Sequence, residues 1–386
     1  MCIRDRDYDD YEGYLYVVAD EGGASFEIID MNHLPDTISV TYSNTIFQAH
    51  NIFVDKENAR LYAMGREVET LDISTPNNPV SMSVVRDFAD GAFTYFHDGY
   101  FENNVAFLNT GNAGLIVADF TDATNPVLIN SLTEYAGNGY NHSGWISTDC
   151  STYYFADENH GSDLKVLDVN DLCDLEVGNT FDAQVENVNS IAHNLIVSCD
   201  YLYTSYYYDG LRVYDISDQQ NPQLVRYYDT YPNVDRTRFE GAWGVYPFLP
   251  SGNILVSDMQ SGLFVFEGMG DNCASQGRTS NCLQSQSCNF STPTEDFSVF
   301  NEVQISPNPT TGYTSLIVNL SQTLDDLSIS LMNVNGQSID SWQYQNLLSG
   351  RNDFSILLPN SLSEGVYFLS LRSEQFHLTK KLIVER

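Results

Sequence analysis

The chain is 386 residues long and carries a formal charge of −35, from 52 Asp+Glu against 17 Lys+Arg. Residues 302–386 hold 5 Lys+Arg and 8 Asp+Glu, which leaves −32 on residues 1–301, a body that repels phosphate backbones and excludes a nucleic-acid partner. No run of 18 apolar residues exists, which excludes a transmembrane helix. The same charge favours solubility, cationic partners or bound cations such as Ca²⁺. The length exceeds one ordinary core, so two domains, or one repeat architecture plus a small domain, are expected. With 25 Tyr and 21 Phe among many Asn, Asp, Ser and Gly, the composition suits pleated strands and turns. No sustained 3.6-residue periodicity is present, so any helix is short.

The opening MCIRDRDYDDYEG is charged and has no apolar core of a secretory signal. From Tyr14 to Met269 one phrase recurs: SFEIID, VETLD, GLIVAD, DLKVLD, GLRVYD and GLFVFE. Its acid falls at Asp30, Asp72, Asp119, Asp168, Asp215 and Glu267, at spacings of 42, 47, 49, 47 and 52. In DISTPNNP, DFTDATNP and DISDQQNP a proline follows seven residues after the Asp. Proline presets φ and Asx or Ser side chains bond the nearby backbone, so these are turns. A period of 40–50 residues built of strands and turns indicates the blades of a β-propeller. The unit from Phe96 reads as four strands, FHDGYF, NVAFLNT, GLIVADF and PVLINSL. Six units are visible. The first is expected to lack its opening strand and the last its outermost one.

The histidines share this phase. His50 in AHN, His97 in FHD, His142 in NHSGW and His193 in AHN are 47, 45 and 51 apart, and Glu240 follows His193 by 47. Each leads into the first strand of its unit, the one that lines a propeller's channel, so a ring of four His and one Glu is expected at one end. Neutral imidazoles converging with a carboxylate suit Zn²⁺, Fe²⁺ or Mn²⁺. Asp98, Glu158 and His160 lie near enough to serve as outer partners or a base. The alternative is that each His makes the same bond to the next blade's backbone, and both readings stay open. The Asp-rich turns, such as Asp215–Asp218, could hold Ca²⁺, although no EF-hand pattern occurs. Tyr206–Tyr208, if exposed, could stack on sugars; packing is the alternative. No nucleophile elbow, zinc-protease helix, phosphate loop or dinucleotide fingerprint is found. Of seven cysteines, six remain once Cys2 in the leader is set aside, and no CxxC is present. Disulfides of an exported protein are expected, with Cys150–Cys173 as one pairing to consider.

The stretch 269–300 is rich in Ser, Gln, Asn and Gly and reads as a linker. Strands resume beyond Val303. Ser306-Pro307-Asn308-Pro309 with Gly312, Val334-Asn335-Gly336-Gln337, Gly365-Val366-Tyr367-Phe368 and Lys380-Lys381-Leu382-Ile383-Val384 resemble the type A C-terminal sorting domain of the type IX secretion system of Bacteroidota. That resemblance implies an immunoglobulin-like β-sandwich that engages the secretion machinery. It also implies removal of the tail on release or on attachment to surface lipopolysaccharide. AHNIFVD, NHSGW, GLRVYDISDQQNP and FEGAWGVYPFLPSGNILVSDMQSGLFVFE resemble the LVIVD-repeat proteins, in particular the choice-of-anchor B group, whose activity is not established. Members of that group begin with a signal peptide and at least one more repeat. The expectation is therefore an N-terminally truncated gene product in which MCIRDR is not native and whose parent could have seven blades. The expected organisation is a propeller over 1–268, a linker over 269–300 and a sorting domain over 301–386. The expected role is a secreted or cell-surface binding or scaffold module for a glycan or protein, rather than an enzyme. The alternative is a metal-dependent hydrolase or lactonase-like enzyme.

Overall fold

The computed structural model describes residues 7–20, 26–46, 48–88, 95–185, 189–232, 238–270, 283–286, 288, 300–333, 338–359, 362–373 and 376–385. The chain forms two compact units, Met1–Cys288 and Asn289–Arg386. Among the described residues both are built of strands alone, and no helix is long and apolar enough to cross a membrane.

The described strands of the first unit form six antiparallel meanders, five of four strands and a last one of three. Their first strands are Asp7–Tyr11, Asn51–Asp55, Asp98–Glu102, Asn141–Ile146, Ala192–Ser198 and Ala242–Tyr246. Each lies beside the first strand of the next meander, so these six are the innermost strands of consecutive propeller blades. Burial raises the Tyr246 phenol of the last, and the Asp10 carboxylate of the first adds to it. The six repeats are as expected and blade 6 has three strands among the described residues, but blade 1 does have its opening strand. DYDDY escapes a hydropathy reading because it holds no aliphatic residue. It is seated by its acids: Asp7 Oδ2 accepts the Ile52 N–H and Asp9 Oδ2 the Val54 N–H, both at 2.8 Å.

Burial explains the strand compositions. The second strands of the two middle blades, Val105–Asn109 and Thr152–Asp157, are buried at every position because neighbouring blades cover both faces. They therefore read as continuous apolar runs rather than alternations. The fourth strands, such as Gln223–Tyr228, are largely exposed at the rim. Stacked rings join blades, with Tyr62 on Phe101 at 3.7 Å and Phe107 on Tyr153 at 4.4 Å between centroids.

The repeated phrase has a mechanical role at each residue. The acid that ends the third strand caps the following turn: Asp72 Oδ1 accepts from Ser74 N at 2.8 Å, Asp119 from Thr121 N at 2.7 Å, Asp168 from Asn170 N at 2.9 Å and Asp215 from Ser217 N at 2.9 Å. Four residues beyond each acid, the turn offers a carbonyl to the preceding blade. Tyr16 Oη donates to Pro76 O at 3.0 Å, Ser83 Oγ to Ala123 O at 2.5 Å, Asn130 Nδ2 to Leu172 O at 3.0 Å and Tyr154 Oη to Gln219 O at 3.1 Å. The glycine opening the phrase is required by space. Gly114 (φ +91°) and Gly210 (φ +69°) would place a Cβ 2.3 Å from Leu132 O and 2.1 Å from Tyr228 O. The Asp-rich turn at 215–218 thus spends its carboxylates on its own backbone, Asp218 Oδ1 accepting from Gln220 N at 3.3 Å.

The described part of the expected linker belongs to the propeller. Leu283 is buried against Val105, Phe107 and Leu172, Asn103 Nδ2 donates to its carbonyl at 2.5 Å, and Leu172 N donates to Gln286 Oε1 at 2.8 Å. Cys173 pairs with Cys288 rather than Cys150, closing a separation of 115 residues; Cys150 and Cys199 are disulfide-bonded as well.

The second unit is a β-sandwich. One sheet runs Phe300–Ser306, Tyr313–Leu320, Gly350–Leu357, and the other Ser338–Leu347, Leu324–Met332, Gly365–Ser373, Phe376–Val384. Alternation in YTSLIVNL buries Thr314, Leu316, Val318 and Leu320 and gives a core with Ile329, Leu331, Leu369 and Leu371. Its sorting motifs meet in space: Asn308 Nδ2 donates to Lys381 O and Asn308 Oδ1 accepts from Ile383 N, both at 2.8 Å. Pro307 offers its carbonyl to Thr314 Oγ1 at 2.8 Å, and Pro309 precedes Thr310, whose N–H reaches Ile383 O at 2.8 Å. Tyr367 is buried in the core, whereas Lys381 is exposed beside half-buried Lys380. Gly312 and Gly365 take φ of 145° and 155°; Gly336 lies outside the described residues.

Candidate metal-binding site at the head of the innermost strands

His50 and His97 sit one residue ahead of their strands, while His142 and His193 lie near the start of theirs. Innermost strands run side by side, so the four rings meet as an arc. Centroids are 4.1 Å apart for His50–His97, 4.2 Å for His97–His142 and 4.6 Å for His142–His193. Bulges aim the later members. The pairing of first and second strands shifts between Asn141 and Ser143, between Ala192 and Leu195, and between Ala242 and Gly244. His142, His193 and Trp243 are the residues displaced, and an extra residue in one strand re-aims its side chain.

The place in phase with the histidines in blade 6 is therefore Trp243, not Glu240. Its ring lies 4.0 Å from His193 and its carbonyl 2.6 Å from His193 Nδ1. Glu240 stands three residues earlier, where it accepts the Tyr231 hydroxyl. Three residues after His50, His97 and His142 an aromatic tier follows, with Phe53–Tyr100 at 5.4 Å and Tyr100–Trp145 at 4.8 Å.

Most of these imidazoles are held by one nitrogen. His50 Nδ1 donates to Asp20 Oδ2 at 2.7 Å, His97 Nδ1 to His142 O at 3.2 Å, and His193 Nδ1 to Trp243 O. Carbonyl and carboxylate oxygens only accept, so Nδ1 carries the proton and Nε2 keeps its lone pair. The ladder is weakest at His142: the His193 carbonyl accepts the Ser143 hydroxyl at 2.7 Å and still acts on the His142 imidazole, without a hydrogen bond of normal geometry to its Nδ1. His142 Nε2 lies 3.8 Å from Glu158 Oε2, and Glu158 Oε1 accepts the Tyr207 hydroxyl. One donor atom from each of His97, His142 and Glu158 falls within 4.8 Å of the others.

Burial keeps His97, His142 and His193 neutral. It pushes His97 far below the usual imidazole range, helped by His142 and His50, and does the same to His142. His193 is lowered to about 3, burial outweighing the Trp243 carbonyl. Asp98 is half-buried, and desolvation raises its carboxyl to about 7. His160 stands apart, its Nδ1 3.2 Å from Asn189 O. Tyr206, Tyr207 and Tyr208 are buried, so they pack rather than offer a sugar platform.

Behind His142 a buried polar chain fixes the strand start. Asn109 Nδ2 donates to Asn141 Oδ1 at 2.7 Å, Asn141 Nδ2 to Tyr135 Oη at 3.2 Å and Tyr135 Oη to Asp157 Oδ1 at 2.7 Å. Lys165 Nζ closes it, 2.8 Å from Asp157 Oδ2, with both side chains out of water. Sequence phase missed Trp243 and Tyr207. Ala precedes His50, His193 and Trp243 alike, in AHN, AHN and AWG, a signal that aligns Trp243 with the arc.

Comparison with known proteins divides along the same boundary as the fold. Residues 304–385 match the family of secretion system C-terminal sorting domains. The tail is a sorting domain. Its type IX character indicates export to the cell surface or the extracellular space. No curated protein sequence matches the chain. Among solved structures, a Bacteroides fragilis protein provisionally named a 6-phosphogluconolactonase superposes with a TM-score of 0.52 at 13% identity, over 68% of this chain and 79% of that one. The β-propeller domain of Myceliophteria thermophila Cps50 (Swd1) gives 0.49 at 11% identity, over 68% and 82%. At such identities the likeness concerns the fold alone.

Proposed function

We propose that this protein is an exported β-propeller that works at the outer cell surface, or free outside the cell, as a binding or scaffold module of the LVIVD-repeat, choice-of-anchor B type. The observation that carries this reading is the joining of a sorting domain at 304–385 to a propeller whose repeat phrase is spent on clasping blades. A body so tied is a rigid platform, and rigid elements lose little entropy on binding. Its partners are the type IX machinery during export, lipopolysaccharide where the released tail leaves an attachment, and a glycan or protein ligand outside the cell.

The test has two parts. In a host with type IX secretion, the full chain behind an added inner-membrane signal peptide reaches the surface or medium while a version with the same signal ending at residue 288 stays inside; equal export of both would end the sorting assignment. Purified protein is then screened against glycan and outer-membrane protein arrays, where saturable binding without turnover is expected. A second reading, a metal-dependent hydrolase or lactonase-like enzyme, is favoured by the grouping of His97, His142 and Glu158. Chelator-sensitive turnover of an ester, lactone or phosphodiester would replace the module reading with that one.

A further inference from the structure

The histidine arc contains one place where two imidazoles and a carboxylate converge. At His97 and His193, Nδ1 is satisfied by the next blade's carbonyl, which leaves Nε2 as the free donor. At His142 the next carbonyl, His193 O, accepts the Ser143 hydroxyl and still acts on the imidazole, which is 2% exposed. Its Nε2 stands 3.8 Å from Glu158 Oε2, too far for a hydrogen bond and close to the spacing of two ligands of one ion. The carboxylate opposite is held ready. Glu158 N donates to Tyr140 O at 2.8 Å, the Tyr207 hydroxyl occupies Oε1, and Oε2 faces His142.

We propose that His97, His142 and Glu158 hold one divalent first-row transition-metal ion, with Tyr207 as a positioning residue for the carboxylate. Metal bonds of about 2.0–2.2 Å place neighbouring donors roughly 3.0–3.5 Å apart. The 3.8 Å between His142 and Glu158 is close to that, and the outer limit of 4.8 Å for the trio needs only side-chain rotation to close. Two imidazoles and one carboxylate suit Zn²⁺, Fe²⁺, Mn²⁺ or Co²⁺ and leave positions open for water or a ligand. The bond from His97 Nδ1 to a backbone carbonyl is the outer contact that fixes a ligating imidazole, and the Tyr207 hydroxyl does the same for Glu158. His50 and His193 flank the ion without joining the group, and Glu240, bonded to Tyr231, is outside it. The acidic body concentrates cations around it. This site stands independently of whichever partner the module binds.

The full chain, stripped with chelator and dialysed, is titrated with Co²⁺ read by visible absorption and with Zn²⁺ read by calorimetry. One equivalent is expected for each. Glu158→Gln, nearly isosteric, is expected to weaken binding at least tenfold, Tyr207→Phe by 10- to 100-fold as outer contacts do, and Glu240→Gln not at all. Less than about 0.2 equivalents bound by the wild-type chain overturns the site, whatever the variants do. So does unchanged affinity in both Glu158→Gln and Tyr207→Phe, or a loss in Glu240→Gln equal to that in Glu158→Gln. Protein that binds a glycan or protein ligand but no metal overturns this site and leaves the module reading standing.

Discussion

At Asp7 a carboxylate does the work usually given to a strand partner, accepting the Ile52 N–H across the gap between blades 1 and 2. Burial raises its pKa well above the ordinary carboxylate value, with Asp98 and Asp9 adding repulsion. The folded chain therefore keeps a proton that the unfolded chain gives up from about pH 4 upward, so this group's contribution falls as pH rises through the folded pKa. Asn keeps the accepting oxygen and never ionises. Asp7→Asn is expected to stabilise the protein at pH 8 by at least about 1.4 kcal/mol, the worth of one pKa unit, and to make little difference at pH 4.5. Urea unfolding at both values checks this, and an equal effect at both would remove the electrostatic account. At this scale the sequence was partly legible. The phase of His50, His97, His142 and His193 could be counted, and they do meet. Counting failed at Glu240, because the bulge at Trp243 depends on how two strands pair.

Within a blade, the recurring phrase couples a capped turn, a clasp on the preceding blade and a glycine that lets the fourth strand begin. A shared bulge adds to this: the third and fourth strands shift register between Thr70 and Leu71, Val117 and Ala118, Val166 and Leu167, and Val213 and Tyr214. An extra residue at the same place bends each outer strand alike, which radial packing of similar blades needs. The glycines separate backbone conformation from space. Gly252 has φ +76° with nothing within 4 Å of a Cβ, whereas Gly210 adds a clash with Tyr228 O. Gly252→Ala is expected to cost about 1 kcal/mol and Gly210→Ala at least twice as much, with the loss read by thermal unfolding; equal costs would show that the carbonyl moves away freely. The strand phrases of blade 3 were read nearly to the residue, since apolar runs between turn residues are local signals. The opening strand DYDDY was not, because its stability comes from hydrogen bonds to another blade rather than from apolar burial.

Over the whole propeller, the chain beyond blade 6 is part of the structure. Leu283 is buried in one cluster with residues of blades 3 and 4, and the Cys173–Cys288 bridge fastens the segment. Closing a separation of 115 residues restricts the unfolded chain by about 4–5 kcal/mol in the chain-entropy description. Cys288→Ser is expected to lower unfolding stability by up to that amount and to leave wild-type and variant alike under reductant. A variant as stable as the oxidised parent would mean that the packing of Leu283 and Gln286 alone holds the segment. Composition marked this stretch as a linker because Ser, Gln and Asn dominate it, and a disulfide partner more than a hundred residues away leaves no local trace.

Sequence by itself determined what recurs or is local: the period of the blades, the capped turns, the phase of the histidines and the sorting motifs of the tail. Each depends on residues a few positions apart, or on repetition that can be counted. Tertiary structure alone decided which of these residues can act together. Trp243 takes the place expected for Glu240, the His193 carbonyl accepts the Ser143 hydroxyl beside His142, and Glu158 is turned toward His142 by a tyrosine from the next blade. Asn308 reaches the terminal strand from the far end of its domain. Strand register, bulges and contacts between blades set these outcomes, and each is an energy of chain segments that meet only in the folded molecule.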